Sequence, residues 1–183
     1  MFSLSLGNHH ELRLLNISDA DELFSLVDKN RSYLRTWLPW LDGTSVSFDT
    51  RDFIKSTLQQ LADNRGFVAA ICVEKSISGV VGYNHIDWQN RIGYIGYWLV
   101  EAYQGRGLMT ISCKAVIDYG FEVLALNRVV INCASENSRS RAIPERLGFT
   151  HEGTCRDAEW LYDRFVNHEV YAQLHSDWNK RNA

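Results

Sequence analysis

Residues 101–120 read EAYQGRGLMTISCKAVIDYG: two glycines and an arginine set between an apolar run and an amphipathic stretch. Leu108, Ile111, Ala115, Val116, Tyr119 and Val123 recur at the helical period, so a helix is expected to begin just after Gly107. A helix start exposes unpaired backbone N–H groups and the positive end of the helix dipole, and anions bind there. Taken alone, Gln104-Gly105-Arg106-Gly107 is equally a structural strand-to-helix turn. It lacks both the GxxxxGK[ST] spacing of nucleoside triphosphate loops and the third glycine of a dinucleotide fingerprint.

The flanking segments define the architecture. GFVAAICVE, GVVGYNHID and IGYIGYWLV are short runs rich in valine, isoleucine and tyrosine, joined by KSIS and WQNR, and are expected to form three antiparallel strands. NRVVINCAS is a further strand beyond the 108–123 helix, so that helix connects neighbouring strands. NSRSRAIPERLGF predicts a short helix ending at Gly148, and FTHEGTCRDAEWL with RFVNHEVYAQL a closing hairpin. Upstream, a strand near Leu12 to Leu15 precedes a helix capped by Ser18 and running to about Asn30. Leu34, Trp37 and Leu38 share a helical face that Pro39 ends, and Phe53, Ile54, Leu58 and Leu61 mark another helix. The sum is an α+β or α/β sandwich around one mixed sheet.

The chain of 183 residues, 45% hydrophobic, is of the size of one domain, 1–183 with its core at about 10–176. A net charge of -3 without like-charge blocks points away from nucleic acid and from a charged membrane surface, and slightly favours amine-bearing partners. The sequence holds no apolar run near the roughly 20 residues of a membrane span and no secretory start, so a cytoplasmic setting is expected. Cys72, Cys113 and Cys133 sit in apolar runs, Cys155 apart from them; without a CxxC pair they read as free thiols, the first three buried. The histidines show no metal-ligand spacing, and no metal is expected.

YWLVEAYQGRGLM resembles the acyl-CoA loop of the GNAT N-acetyltransferases, Q/R-x-x-G-x-G/A, and ENSRSRAIPERLGF resembles the asparagine-bearing helix that follows it in that superfamily. The similarity runs from NRSYLRTWLPWL to GTCRDAEWLYDRFVNHEVYAQL and is closest to the RimJ/RimL type, which acetylates ribosomal-protein N-termini. The resemblance implies a GNAT fold: a mixed, mostly antiparallel sheet of six to seven strands flanked by helices and splayed between the fourth and fifth strands. It implies acetyl-CoA as cosubstrate and direct attack by a primary amine in a ternary complex. Backbone donors from Gln104, Gly105, Arg106, Gly107, Leu108, Met109 and Thr110 would hold the pyrophosphate, the Leu99 backbone the pantetheine arm, and Asn137 a further cofactor hydrogen bond. Met109 stands at the usual Gly/Ala position, tolerable if its side chain points away. Pro144 stands where many members carry an acid tyrosine, which leaves Ser140 to serve the leaving thiolate.

Glu159 matches the glutamate that RimL-like enzymes place near the incoming amine, with His85, Asp87 and Glu101 as further candidates for the base. Tyr33, Trp37, Trp40 and Tyr97 would wall the acceptor site, where an amine-bearing chain end gains from aromatic packing. The acceptor is expected to be a protein α-amine. A small amine (polyamine, amino acid or aminoglycoside) and a non-catalytic CoA-binding role are the alternatives. A dimer or higher homo-oligomer is expected.

Overall fold

A single eight-stranded sheet organises the chain, and the computed structural model describes residues 3–182 of it. In chain order the elements are β1 (Ser3–Gly7), β2 (His10–Leu14), α1 (Ala20–Lys29), α2 (Arg31–Leu34), α3 (Ser47–Ala62), β3 (Phe67–Val73), β4 (Ser76–Asp87), β5 (Ile92–Leu99) and α4 (Leu108–Glu122), followed by β6 (Arg128–Ala134), α5 (Ser138–Arg146), β7 (Thr150–Leu161), β8 (Arg164–Leu174) and α6 (His175–Asn182). The strands lie in the order β1-β2-β3-β4-β5-β6-β8-β7. The count is eight rather than the expected six or seven. The additional strand is β1, a mostly exposed edge ribbon whose short SLSLG run carries little apolar signal.

Alternation along β3 decides which helices cover which face. Ala70 and Cys72 point to one side and pack with Leu15, Ala20 and Leu23 and with Ile54 of α3. Ala69 and Ile71 point to the other and join Leu108, Cys113, Val116, Ile117 and Phe121 of α4. A period of two in the strands and 3.6 in the helices thus builds a helix–sheet–helix sandwich. The buried stripe of α4 departs from expectation at two positions: Ile111 and Val123 are exposed, while Cys113, Ile117 and Phe121 face the core. Val123 falls beyond the last helical residue, and Ile111 sits on the exposed side of the first turn.

The entry to α1 also differs. Asn16, not Ser18, is the capping side chain, and what it caps is the 3-10 turn Ile17–Asp19 that leads into α1: its Oδ1 accepts from Ser18 N at 3.1 Å, and its own N–H donates to Asp19 Oδ2 at 2.7 Å. Arg13 locks this box with a two-pronged bond to Asp19 at 2.7 and 3.0 Å, and the Asp19 carboxyl is held below its usual range despite partial burial. The helix expected across Leu34, Trp37 and Leu38 is a single turn ending at Leu34, continued by helical turns up to Leu38.

Every neighbouring strand pair is antiparallel except β5 and β6, which the α4 crossover makes parallel. Their pairing covers only Ile92 to Ile95 against Arg128 to Ile131. Past that point the two strands part, and side chains bridge the gap: Tyr97 Oη lies 3.8 Å from Cys133 Sγ. This is the splay expected between Leu99 and the Asn127–Cys133 segment; with β1 counted, it falls between the fifth and sixth strands.

Candidate active site

The splay opens into a cavity of about 830 Å3 bounded by α2, the end of β5, the loop into α4, and α5. Gly105 and Gly107 both adopt positive φ, +72° and +77°, and Gly107 forms the cap of α4 with no side chain bonded to the helix end. The left-handed conformation strains any side-chain-bearing residue and is free for glycine, which explains both glycines; neither is required for space. The first helical acceptor bond is Ile111 N to Gly107 O at 3.1 Å, so the N–H groups from Gly105 to Thr110 precede the helical ladder.

Gln104 departs from its expected role as a backbone donor, because its N–H is tied to Glu101 O at 3.0 Å. Its side chain is the hub instead. Gln104 Nε2 donates to Leu99 O at 3.1 Å and to Tyr33 Oη, while Oε1 accepts from Arg139 Nη1 at 3.0 Å. One amide thereby joins β5, α2 and α5 around the cavity. Arg146 Nη1 donates to Thr110 Oγ1 at 2.9 Å and brings a second guanidinium to the α4 N-terminus. Met109 is buried with the α4 core, its side chain packed down rather than standing over the loop. Arg106 stands outside the cavity lining, its guanidinium 5.8 Å from the Tyr103 ring centre.

Beneath the loop, in the splay, lies a cluster of hydroxyl and thiol groups. Asn137 caps α5 by accepting from Ser140 N at 3.1 Å. Ser140 Oγ is within donor reach of Cys133 Sγ at 3.2 Å and of Tyr97 Oη at 3.3 Å, and Tyr97 Oη donates to Ser140 O at 3.0 Å. Burial pushes the Tyr97 phenol and the Cys133 thiol above their ordinary ranges, so both stay protonated at neutral pH and act as neutral groups. The three buried cysteines are free thiols as expected, and Cys155 is exposed.

The residues expected to serve the site divide clearly. Tyr33, Trp37, Tyr97, Leu99, Gln104, Gly105, Gly107, Leu108, Met109, Thr110, Asn137 and Ser140 all line the cavity. Trp40 does not; it packs against Trp98, ring centres 6.3 Å apart, and Trp98 takes a place in the lining. Glu159 also lies off the lining. Its Oε2 is 3.3 Å from His168 Nε2, on the stretch of β7 that resumes pairing after the Cys155–Glu159 irregularity. The hairpin it belongs to reaches the cavity rim at its tip, where Tyr162 Oη donates to Leu38 O and Arg35 stacks 3.7 Å over the Tyr162 ring.

Among the further base candidates, Glu101 lines the cavity and sits 3.8 Å from Arg139. Asp87 is a turn cap, its carboxyl held low chiefly by Asn90, and His85 stacks on Tyr94 at 5.9 Å. Sequence reasoning missed Arg139 and Arg146. Their spacing of seven residues puts both on one helical face, and that signal was available. Among the described residues no cluster of three or more His, Cys, Asp or Glu side chains forms a metal-binding group.

A splayed mixed sheet with helix-start donors, two guanidiniums and a hydroxyl in the gap is an arrangement suited to a phosphate-bearing ligand that extends into the splay. The family described as Acetyltransferase (GNAT) domain matches residues 10–150, and the chain belongs to it. It is 36% identical to the "Putative ribosomal N-acetyltransferase YdaF" of Bacillus subtilis (strain 168), covering 97% of this chain and 98% of that protein. It is 30% identical to the ribosomal-protein-serine acetyltransferase of Escherichia coli (strain K12), covering 94% and 96% respectively. A solved structure of RimL, a ribosomal L7/L12 alpha-N-protein acetyltransferase, in complex with coenzyme A superposes with a TM-score of 0.91 at 29% identity, over 94% of this chain and 98% of that one. The protein is an N-acetyltransferase of the GNAT fold that uses acetyl-CoA.

Proposed function

We propose that this enzyme acetylates the N-terminal α-amine of a protein, with a ribosomal protein as its physiological acceptor. The observation that carries the reading is the end-to-end similarity to ribosomal-protein acetyltransferases, which includes the α2 segment at the acceptor side of the cavity. The donor set suits acetyl-CoA: free N–H groups from Gly105 to Thr110 with Arg139 and Arg146 match a pyrophosphate, and the Leu99 backbone and Asn137 match the amides of a pantetheine arm. When bound, acetyl-CoA supplies an acetyl thioester open to attack by an amine.

The chain's own residues then have three tasks. Tyr33 and Trp37 hold the acceptor chain end against an aromatic wall, and juxtaposition of the two substrates provides much of the acceleration. Ser140 Oγ donates a hydrogen bond to the sulfur as negative charge gathers on it. Glu159, steadied by His168, accepts through water the proton that the attacking nitrogen sheds. Net, an N–C bond forms, a C–S bond breaks, and one proton passes from nitrogen to the thiol by way of solvent. The free thiol of Cys133 beside the site suits a reducing, cytoplasmic setting, and no described helix is long and apolar enough to cross a membrane.

Thiol release from acetyl-CoA, followed with peptides bearing N-terminal serine or alanine alongside polyamines, amino acids and aminoglycosides, tests this reading. Turnover with peptides is expected. Turnover confined to small amines would replace the acceptor, and tight CoA binding without turnover on any amine would make the protein a CoA-binding module. Glu159→Gln and Ser140→Ala are each expected to lower kcat about ten- to a hundredfold while leaving CoA affinity within a factor of about two.

A further inference from the structure

Pro144 lies inside α5, and its position relative to Ser140 has a defined consequence. In an α-helix the carbonyl of residue 140 accepts from the N–H of residue 144. Proline has no N–H, so the Ser140 carbonyl is left without its helical donor. Tyr97, reaching across from β5, takes that place: its hydroxyl donates to Ser140 O at 3.0 Å. The same phenol oxygen lies 3.3 Å from Ser140 Oγ on its accepting side, and Asn137 holds Ser140 N at 3.1 Å. All three polar atoms of Ser140 are therefore held, two of them by one phenol.

We infer that Tyr97 and Pro144 act as a pair that orients the Ser140 hydroxyl in the cavity, Pro144 freeing the carbonyl and Tyr97 occupying it so that its oxygen stands against Oγ. The tyrosine hydroxyl is delivered to this helix turn from β5. Tyr97 is a positioning residue acting through Ser140. The Ser140 proton then has two resting acceptors, Tyr97 Oη and Cys133 Sγ at 3.2 Å, the second of them weak, and it can turn toward a sulfur in the cavity. The inference rests on the role proposed above for Ser140, but the pairing of Tyr97 with the carbonyl is testable apart from it.

Tyr97→Phe keeps the ring and removes the hydroxyl, while Pro144→Ala in that background returns an N–H to the Ser140 carbonyl. Tyr97→Phe is expected to lower the melting temperature and to reduce kcat about tenfold, with the KM for acetyl-CoA changed by no more than about twofold. In the double variant the melting temperature is expected to recover and kcat to stay low. Recovery of kcat together with stability would reduce Tyr97 to a structural substitute and overturn the inference, as would an unchanged Tyr97→Phe enzyme. Should Tyr97→Phe alone not fold, the double variant carries the test: folded but slow supports the pair, whereas folded at full rate, or unfolded, overturns it. A wild-type protein inert toward every amine would instead sink the proposed function, leaving the melting temperatures to read the carbonyl pairing.

Discussion

Arg139 and Arg146 are exposed guanidiniums, one bonded to Gln104 just before α4 and the other to Thr110 in its first turn. An exposed charge gains little from a lone partner, but two converging on one anion with a helix dipole behind it gain more. Arg146→Ala is expected to raise the KM for acetyl-CoA about fivefold with kcat nearly unchanged, and the loss should shrink as salt is raised from 0.05 to about 0.5 M. Initial rates across an acetyl-CoA titration at two ionic strengths check this. Single residues were also where sequence reading was least complete. Asn137, Ser140 and Tyr97 were identified as site residues, but what Tyr97 touches depends on two strands parting, which no local pattern records. Glu159 could be singled out in the sequence, but its pairing with His168, just off the cavity lining, is visible only in the fold.

In the helices and strands, the close approach of α4 to β4 rests on Gly120. A Cβ there would stand 1.9 Å from the Tyr83 hydroxyl, which is fully buried and donates to Val116 O at 3.1 Å. Gly120→Ala must therefore push the phenol out of its bond or lift the helix. Overpacking of this kind costs about 1–3 kcal/mol, and leaving the phenol unpaired adds to it. Urea unfolding of the variant should show a lower midpoint with an unchanged slope. The elements themselves were largely legible. The meander, the crossover helix and the closing hairpin follow from period-two runs and turn residues, and they appear with boundaries shifted by a few residues. Asn16 displaced Ser18 as a cap because the chain enters through a 3-10 turn one step ahead of α1, where Asn16 and Asp19 form a reciprocal capping box. The edge strand β1 escaped notice because an exposed ribbon needs few apolar residues.

Across the β6–β8–β7 end of the sheet, a buried carboxylate ties three strands together. Glu169 accepts from Ser135 Oγ at 2.6 Å and Thr154 Oγ1 at 2.8 Å, and meets His151 Nε2 at 2.6 Å. The Ser135 and Thr154 hydrogen bonds lead in holding its pKa down to about 2, against the penalty of burial. A carboxyl depressed in the folded state contributes stability in full above its unfolded pKa of about 4.3, and loses it as pH falls toward the folded value. Glu169→Gln is thus expected to destabilise the protein by about 1–3 kcal/mol at pH 7, with the difference from wild type shrinking between about pH 5 and pH 2. Denaturation midpoints of both proteins across that range measure it.

Local chemistry alone determined the alternation of the strands, the glycine-opened start of α4 and the order of elements, because these depend on residues a few positions apart. From them came the fold class, while the reading of the glycine-containing turn as a cofactor loop came from its resemblance to the acyl-CoA loop. Only the tertiary structure decided which groups meet in the splay, since β5, β6 and α5 bring together residues as distant as Tyr97 and Ser140 across a gap that backbone pairing does not close. Pro144 shows the same division: the missing N–H is visible in the sequence, but the hydroxyl that donates to the Ser140 carbonyl comes from another strand.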